Sequence, residues 1–125
     1  MIVNAWGIVL SRRDHGEADR LCTIYTETFG KMLVRFVGVN KPGRKLKALS
    51  EPFVWGEYRL YVNAKTDIGK AIGGQLIGSF PAVRENFVRT VEALCCCELL
   101  SALTADRAPN AEKYELLCKA LQALD

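Results

Sequence analysis

The chain has one histidine, His15, and none of the spacings that usually accompany a catalytic centre. There is no G-x-S-x-G nucleophile elbow, no H-E-x-x-H metal helix and no P-loop. The glycine cluster Gly69-Lys-Ala-Ile-Gly-Gly-Gln75 matches no dinucleotide fingerprint. His15 lies between Asp14 and Glu17 in a polar stretch, where a surface position is expected and not an acid–base dyad. The chain also has no run of about 18 apolar residues, which a membrane helix would need. Its N-terminus lacks the basic leader and small-residue cleavage site of a signal peptide, so no membrane or export is expected. Pairs of cysteines at metal-binding spacing are missing too. The five cysteines comprise two isolated residues, Cys22 and Cys118, and the consecutive triplet Cys95-Cys96-Cys97. Successive side chains on a helix diverge by about 100°, so the triplet cannot converge on one ion. An odd count in this arrangement is a poor disulfide framework and suits a reducing cytoplasm. All five are expected as small buried hydrophobes, and no metal or cofactor is expected in this chain.

What is present is a core and a polarised charge distribution. Half of the 125 residues are hydrophobic, which excludes disorder and fits one domain, or one domain plus the start of another. The net charge of +3 hides an uneven spread. Residues 1–50 carry nine Lys and Arg against four acids, residues 51–80 balance, and residues 81–125 hold five bases against seven acids. The positive field belongs to the N-terminal half.

Strand patterns fill that half. Residues 2–11 place Ile2, Trp6, Ile8 and Leu10 on one face, and Arg12–Ala18 predicts a turn around Gly16. Residues 19–28 alternate Leu21, Thr23 and Tyr25 against Cys22, Ile24 and Thr26. A tight connection at Phe29-Gly30-Lys31 leads to a third strand reaching about Asn40. Residues 53–62 set Val54, Tyr58, Leu60 and Val62 opposite Phe53, Trp55, Arg59 and Tyr61. Glycines 69, 73, 74 and 78 among spaced isoleucines suit a strand that bends to close a small barrel.

The period changes at Ser79, a candidate cap before Pro81. Val83, Phe87, Val91 and Leu94 recur at helical spacing toward Leu103. Asn110 can cap a second helix with Tyr114, Leu117, Cys118, Leu121 and Leu124 in a stripe. The predicted fold class is therefore mainly β with a C-terminal α portion. The barrel occupies residues 1–79, and residues 80–125 supply two helices that begin a helical domain without completing it.

The stretch Lys31–Lys47 is apolar and β-branched in its first half. In its second half Lys41, Arg44, Lys45 and Lys47 surround Pro42-Gly43, with no acid before Ser50. Alone, it reads equally as a solvated loop or as a phosphate-binding one. Arg12 and Arg13 in the first turn, Arg20 on the second strand, and Lys31 and Arg35 on the third extend it into a candidate cationic track. Most aromatics are expected in the core. Trp55 and Tyr61 are the best candidates to face outward and stack on bases, because Arg59 shares their face.

The ordered series Gly7-Ile-Val-Leu10, Gly16-Glu-Ala-Asp-Arg-Leu21 and Thr26-x-x-x-Gly30-Lys31 resembles the opening of the RecO family of bacterial DNA-repair and recombination-mediator proteins. Gly38-Val-Asn-Lys-Pro42 with its basic loop, Pro52-Phe53, Ile77–Phe80, Arg84, Glu98-Leu99-Leu100, Leu116-Leu117 and Leu121 continue the likeness over essentially the whole chain. His15 stands where an aromatic is common in that family. The resemblance implies a five-stranded OB-fold Greek-key barrel and a non-enzymatic protein that binds single- and double-stranded DNA and anneals strands. It also implies cooperation with a RecR-like protein and with single-strand-binding protein, the latter through the helical part, in loading recombinase. Members of that family often carry a zinc module further along, with which Cys95–Cys97 and Cys118 are not to be equated. An alternative is an OB module that docks a RecR-like partner and contacts DNA little; a third is a metal or redox protein using the cysteines.

Overall fold

The computed structural model describes residues 1–125. Five strands, β1 (Ile2–His15), β2 (Asp19–Thr26), β3 (Gly30–Phe36), β4 (Trp55–Tyr61) and β5 (Ile68–Gly78), close into a barrel in the order β1-β2-β3-β5-β4. β1 pairs antiparallel with both β2 and β4, and a short parallel ladder joins Leu33–Arg35 of β3 to Ile68–Lys70 of β5. This is the OB-fold arrangement, with a 3₁₀ turn (Lys45–Ser50) between β3 and β4. Three helices follow: α1 (Pro81–Arg84), α2 (Phe87–Leu103) and α3 (Ala111–Leu124). No helix is long and apolar enough to cross a membrane.

The inward-facing residues are those that alternation selects. Ala5, Val9, Cys22, Ile24, Met32, Val34, Phe36, Val54, Tyr58 and Leu60 fill the barrel. Tyr58 is fully buried, meets Phe36 edge-on at 6.2 Å, and donates its hydroxyl to the Leu49 carbonyl at 2.8 Å. Burial without a charged partner pushes its hydroxyl pKa up.

A second core lies outside the barrel. Ile8 and Leu10 of β1, Tyr25 of β2, Phe53 and Phe80 pack against Val83, Ala93, Cys97, Tyr114, Leu117 and Leu121. The outer face of β1 is thus split along its length. Ile8 and Leu10 lie under the helices, whereas Ile2 and Trp6 on the same side are about half exposed.

Several expectations are corrected. Residues 12–15 are not a turn: β1 runs to His15, paired with Asp19, and only Gly16–Ala18 turn. The polar residues 11–15 form a ribbon exposed to water, so they need no apolar alternation to remain a strand. β3 stops at Phe36, and Gly38 (φ +70°) begins the basic loop. Ser79 is not a cap; Phe80 precedes Pro81 in a left-handed conformation (φ 53°), and the main helix is capped by Asn86, which accepts from the Arg89 N–H at 3.1 Å. The buried face of α2 is Ala93 and Cys97, while Phe87 (83%), Val91 (42%) and Leu94 (40%) are exposed. Small residues win that face because the helix lies close upon the barrel. Cys22 and Cys97 are fully buried, with pKa values pushed up to about 12 by burial, and Cys118 is buried, but Cys95 is exposed and Cys96 half-buried. The α3 stripe and its Asn110 cap stand as expected, Leu124 at its edge being only partly buried.

Candidate nucleic-acid interface

The basic loop owes its shape to apolar pegs. Val39 and Leu49 are buried in the barrel core and Leu46 packs against it, so the residues between them must point outward. The Gly38 N–H donates to Asp19 Oδ1 at 2.7 Å, the Asn40 N–H to the Ala18 carbonyl at 2.9 Å, and Ser50 Oγ to the Lys47 carbonyl at 2.7 Å. The first two bonds tie the loop to the β1–β2 hairpin, and the third closes the 3₁₀ turn on itself. Lys41, Arg44, Lys45 and Lys47 are all exposed, and no side-chain hydrogen bond or ion pair engages them. Arg13 and Arg59 are likewise exposed and unpaired.

The other residues of the candidate track are placed differently. Arg35 is half exposed and forks onto Asp19 Oδ2 through Nε (3.2 Å) and Nη2 (2.8 Å). The Gly38 N–H, with Arg35 adding to it, holds the Asp19 carboxyl below its usual range. Arg12 lies 3.4 Å from Glu51, which also takes Arg20 Nη1 at 2.9 Å. Arg20 is a buried strut: 5% exposed, it donates to Ser50 Oγ at 2.9 Å as well and so fixes the end of the 3₁₀ turn. Two guanidiniums share one carboxylate there, which leaves the corner positive.

Lys31 and Trp55 belong to the barrel–helix seam. Lys31 Nζ donates to the carbonyls of Ser101 and Thr104, each at 2.7 Å, and lies 3.7 Å from Asp106. Those carbonyls end α2 and have no helical partner, so an ammonium there satisfies them and opposes the helix dipole. Beside it, Gly30 adopts φ +73°; a Cβ there would come within 2.7 Å of the Ala108 carbonyl carbon, so only glycine lets the 104–110 connection lie on this turn. Trp55, expected to face outward, instead donates Nε1 to Tyr114 Oη at 2.7 Å beneath α3. The indole packs where helices cover that end of β4, and strand alternation cannot reveal such a cover. Arg84 plays a similar part, donating to the Ser79 and Pro52 carbonyls over the Phe53 ring.

Lys70 was missed by the sequence reasoning. Gly69 and Ala71 point inward and Lys70 outward on β5, an alternation that would have found it. It pairs laterally with Tyr61 of β4 and with Arg35 of β3, and is exposed and unpaired.

Residues 1–80 match the family described as Recombination protein O N terminal, and residues 84–125 match Recombination protein O C terminal. The chain is 33% identical over all of its 125 residues to the DNA repair protein RecO of Bacillus pumilus, covering 48% of that protein. It is 30% identical to those of Bacillus subtilis and an Exiguobacterium species, over 48% and 49% of their lengths. It spans about half the length of the curated relatives it matches. With the barrel and its first helices both accounted for by these matches, the chain belongs to the RecO family.

Proposed function

We propose that this chain is a non-enzymatic DNA-binding unit of recombinational repair, whose barrel (residues 1–79) contacts single- and double-stranded DNA and whose residues 80–125 begin a helical domain. One observation carries the reading: Lys41, Arg44, Lys45 and Lys47 are held outward by buried pegs and are free of ion pairs. Arg13, Arg35 and Arg59 extend this surface, with Arg12 at its margin. The relatives, named DNA repair proteins, support the same direction. In the whole protein this surface would assist strand annealing and, with a RecR-like protein and single-strand-binding protein, recombinase loading. A DNA substrate and five free cysteines suit a reducing cytoplasm.

Fluorescence anisotropy with a labelled oligonucleotide tests the reading. Each neutralised phosphate contributes about −0.7 to the slope of log affinity against log salt on single strands and about −0.9 on duplex. Arg44→Glu/Lys45→Glu/Lys47→Glu is expected to flatten the single-strand slope by about 2 and to cut affinity by roughly two orders of magnitude at low salt. A flat salt response in the parent chain, or a triple variant that binds as before, rejects it. A second reading is an OB module whose exposed, unpaired basic loop docks an acidic, RecR-like partner and contacts DNA little. A partner that binds equally well with DNA saturating the loop uses another surface.

A further inference from the structure

The outer face of the barrel away from the helices carries a feature that the basic loop does not explain. Strand register sets Ile2, Tyr61, Lys70 and Arg35 side by side across β1, β4, β5 and β3. All four are exposed, Tyr61 by 45% and Ile2 by 53%. At about 4.8 Å per strand, the row spans about 14 Å. Two residues along β4, Arg59 projects on the same side, opposite Gly73, which has no side chain to cover it. The nearest acid on this face of β4 is Glu57, and its Oε2 already accepts from Trp6 Nε1 at 2.9 Å.

The Tyr61 phenol stands between an aliphatic side chain and an unpaired lysine; its hydroxyl has no hydrogen-bond partner and its ring lies outside both cores. The arrangement has the two components that an unpaired strand requires, a π-face for a base and, beside it, the cations Lys70 and Arg59 for its phosphates. A duplex offers no free base face, so the feature discriminates between the two forms of DNA. An uncharged apolar peptide would have to desolvate the two unpaired cations here, Lys70 and Arg59.

We propose that Tyr61, with Lys70 and Arg59 beside it, is a base-stacking subsite for single-stranded DNA. The subsite extends the loop surface across β3–β5–β4 and rests on the DNA-binding reading above. It separates roles: the loop supplies charge to either form of DNA, and Tyr61 supplies preference for the single strand.

The test uses the full chain. Tyr61→Ala is expected to weaken single-strand binding about tenfold and duplex binding less than about twofold, whereas Tyr61→Phe keeps both, because the ring and not the hydroxyl stacks. Lys70→Gln is expected to lower the magnitude of the salt slope by about 0.7. As a measurement on the unaltered protein, an oligonucleotide carrying 5-iodouracil is expected to photocross-link to the peptide containing residue 61. If the triple loop variant loses binding but Tyr61→Ala does not, or cross-links map only to the loop, the subsite is overturned and the DNA-binding reading stands; the face is then left to a protein partner. If the parent chain binds no DNA, both fall.

Discussion

The two outer faces of the barrel are built from the same alternating strands yet use their polar side chains in opposite ways. Where α2 and α3 lie, the polar groups are consumed: Lys31 closes the end of α2, Trp55 reaches Tyr114, and Arg84 spans two carbonyls over Phe53. On the bare side and the adjoining loop, Arg13, Lys41, Arg44, Lys45, Lys47, Arg59 and Lys70 are exposed and make no side-chain hydrogen bond or ion pair. The lesson is that a basic residue on a barrel strand is not evidence of a phosphate contact until its own hydrogen bonds have been counted. Lys31, whose ammonium already donates to two carbonyls, has at most one N–H left for a ligand.

This contrast can be broken by exchanging stability for binding as the readout. Lys31→Met removes two charge-assisted bonds and leaves the terminal α2 carbonyls unmet, an expected loss of about 2–3 kcal/mol in denaturant unfolding. If Lys31 instead served the ligand, stability would hold and DNA affinity would fall. Trp55→Phe keeps most of the ring but leaves the buried Tyr114 hydroxyl without its donor, and is expected to cost about 1–2 kcal/mol. Arg59→Gln, on the bare face, is expected to change stability by less than about 0.5 kcal/mol. A destabilisation there comparable to that of Lys31→Met would mean that the bare face is structural after all.

Much of the fold was legible because burial follows a period of two. Val54, Tyr58 and Leu60 were separable from Arg59 and Tyr61 on alternation alone, and the α3 stripe on helical spacing. What alternation cannot report is which part of an outward face another element will cover. Trp6 and Trp55 meet edge-on at 6.3 Å, yet Trp6 is 45% exposed and Trp55 is held beneath α3. Arg20 shows the same limit: its place on β2 was clear, but the 3₁₀ turn that buries it comes from residues thirty positions later. For the candidate site, the loop cations were legible because they share one stretch of chain. The outward side of Lys70 can be read from alternation, but its place beside Tyr61 and Arg35 is set only by strand pairing.

The short parallel ladder between Leu33–Arg35 and Ile68–Lys70 has a consequence for how the barrel breathes. Every other pair of neighbouring strands is antiparallel and has a longer register, and parallel pairing is slightly weaker per residue. Local opening follows the weakest cooperative unit, so the first slit to appear is expected to lie between β3 and β5. In native-state amide exchange, the amides of this ladder are then expected to lose protection at lower denaturant than those pairing β1 with β4. Equal protection across both seams would contradict it. Arg35 and Lys70 stand on the two lips of that slit, so whatever bridges them acts as a clasp on the barrel.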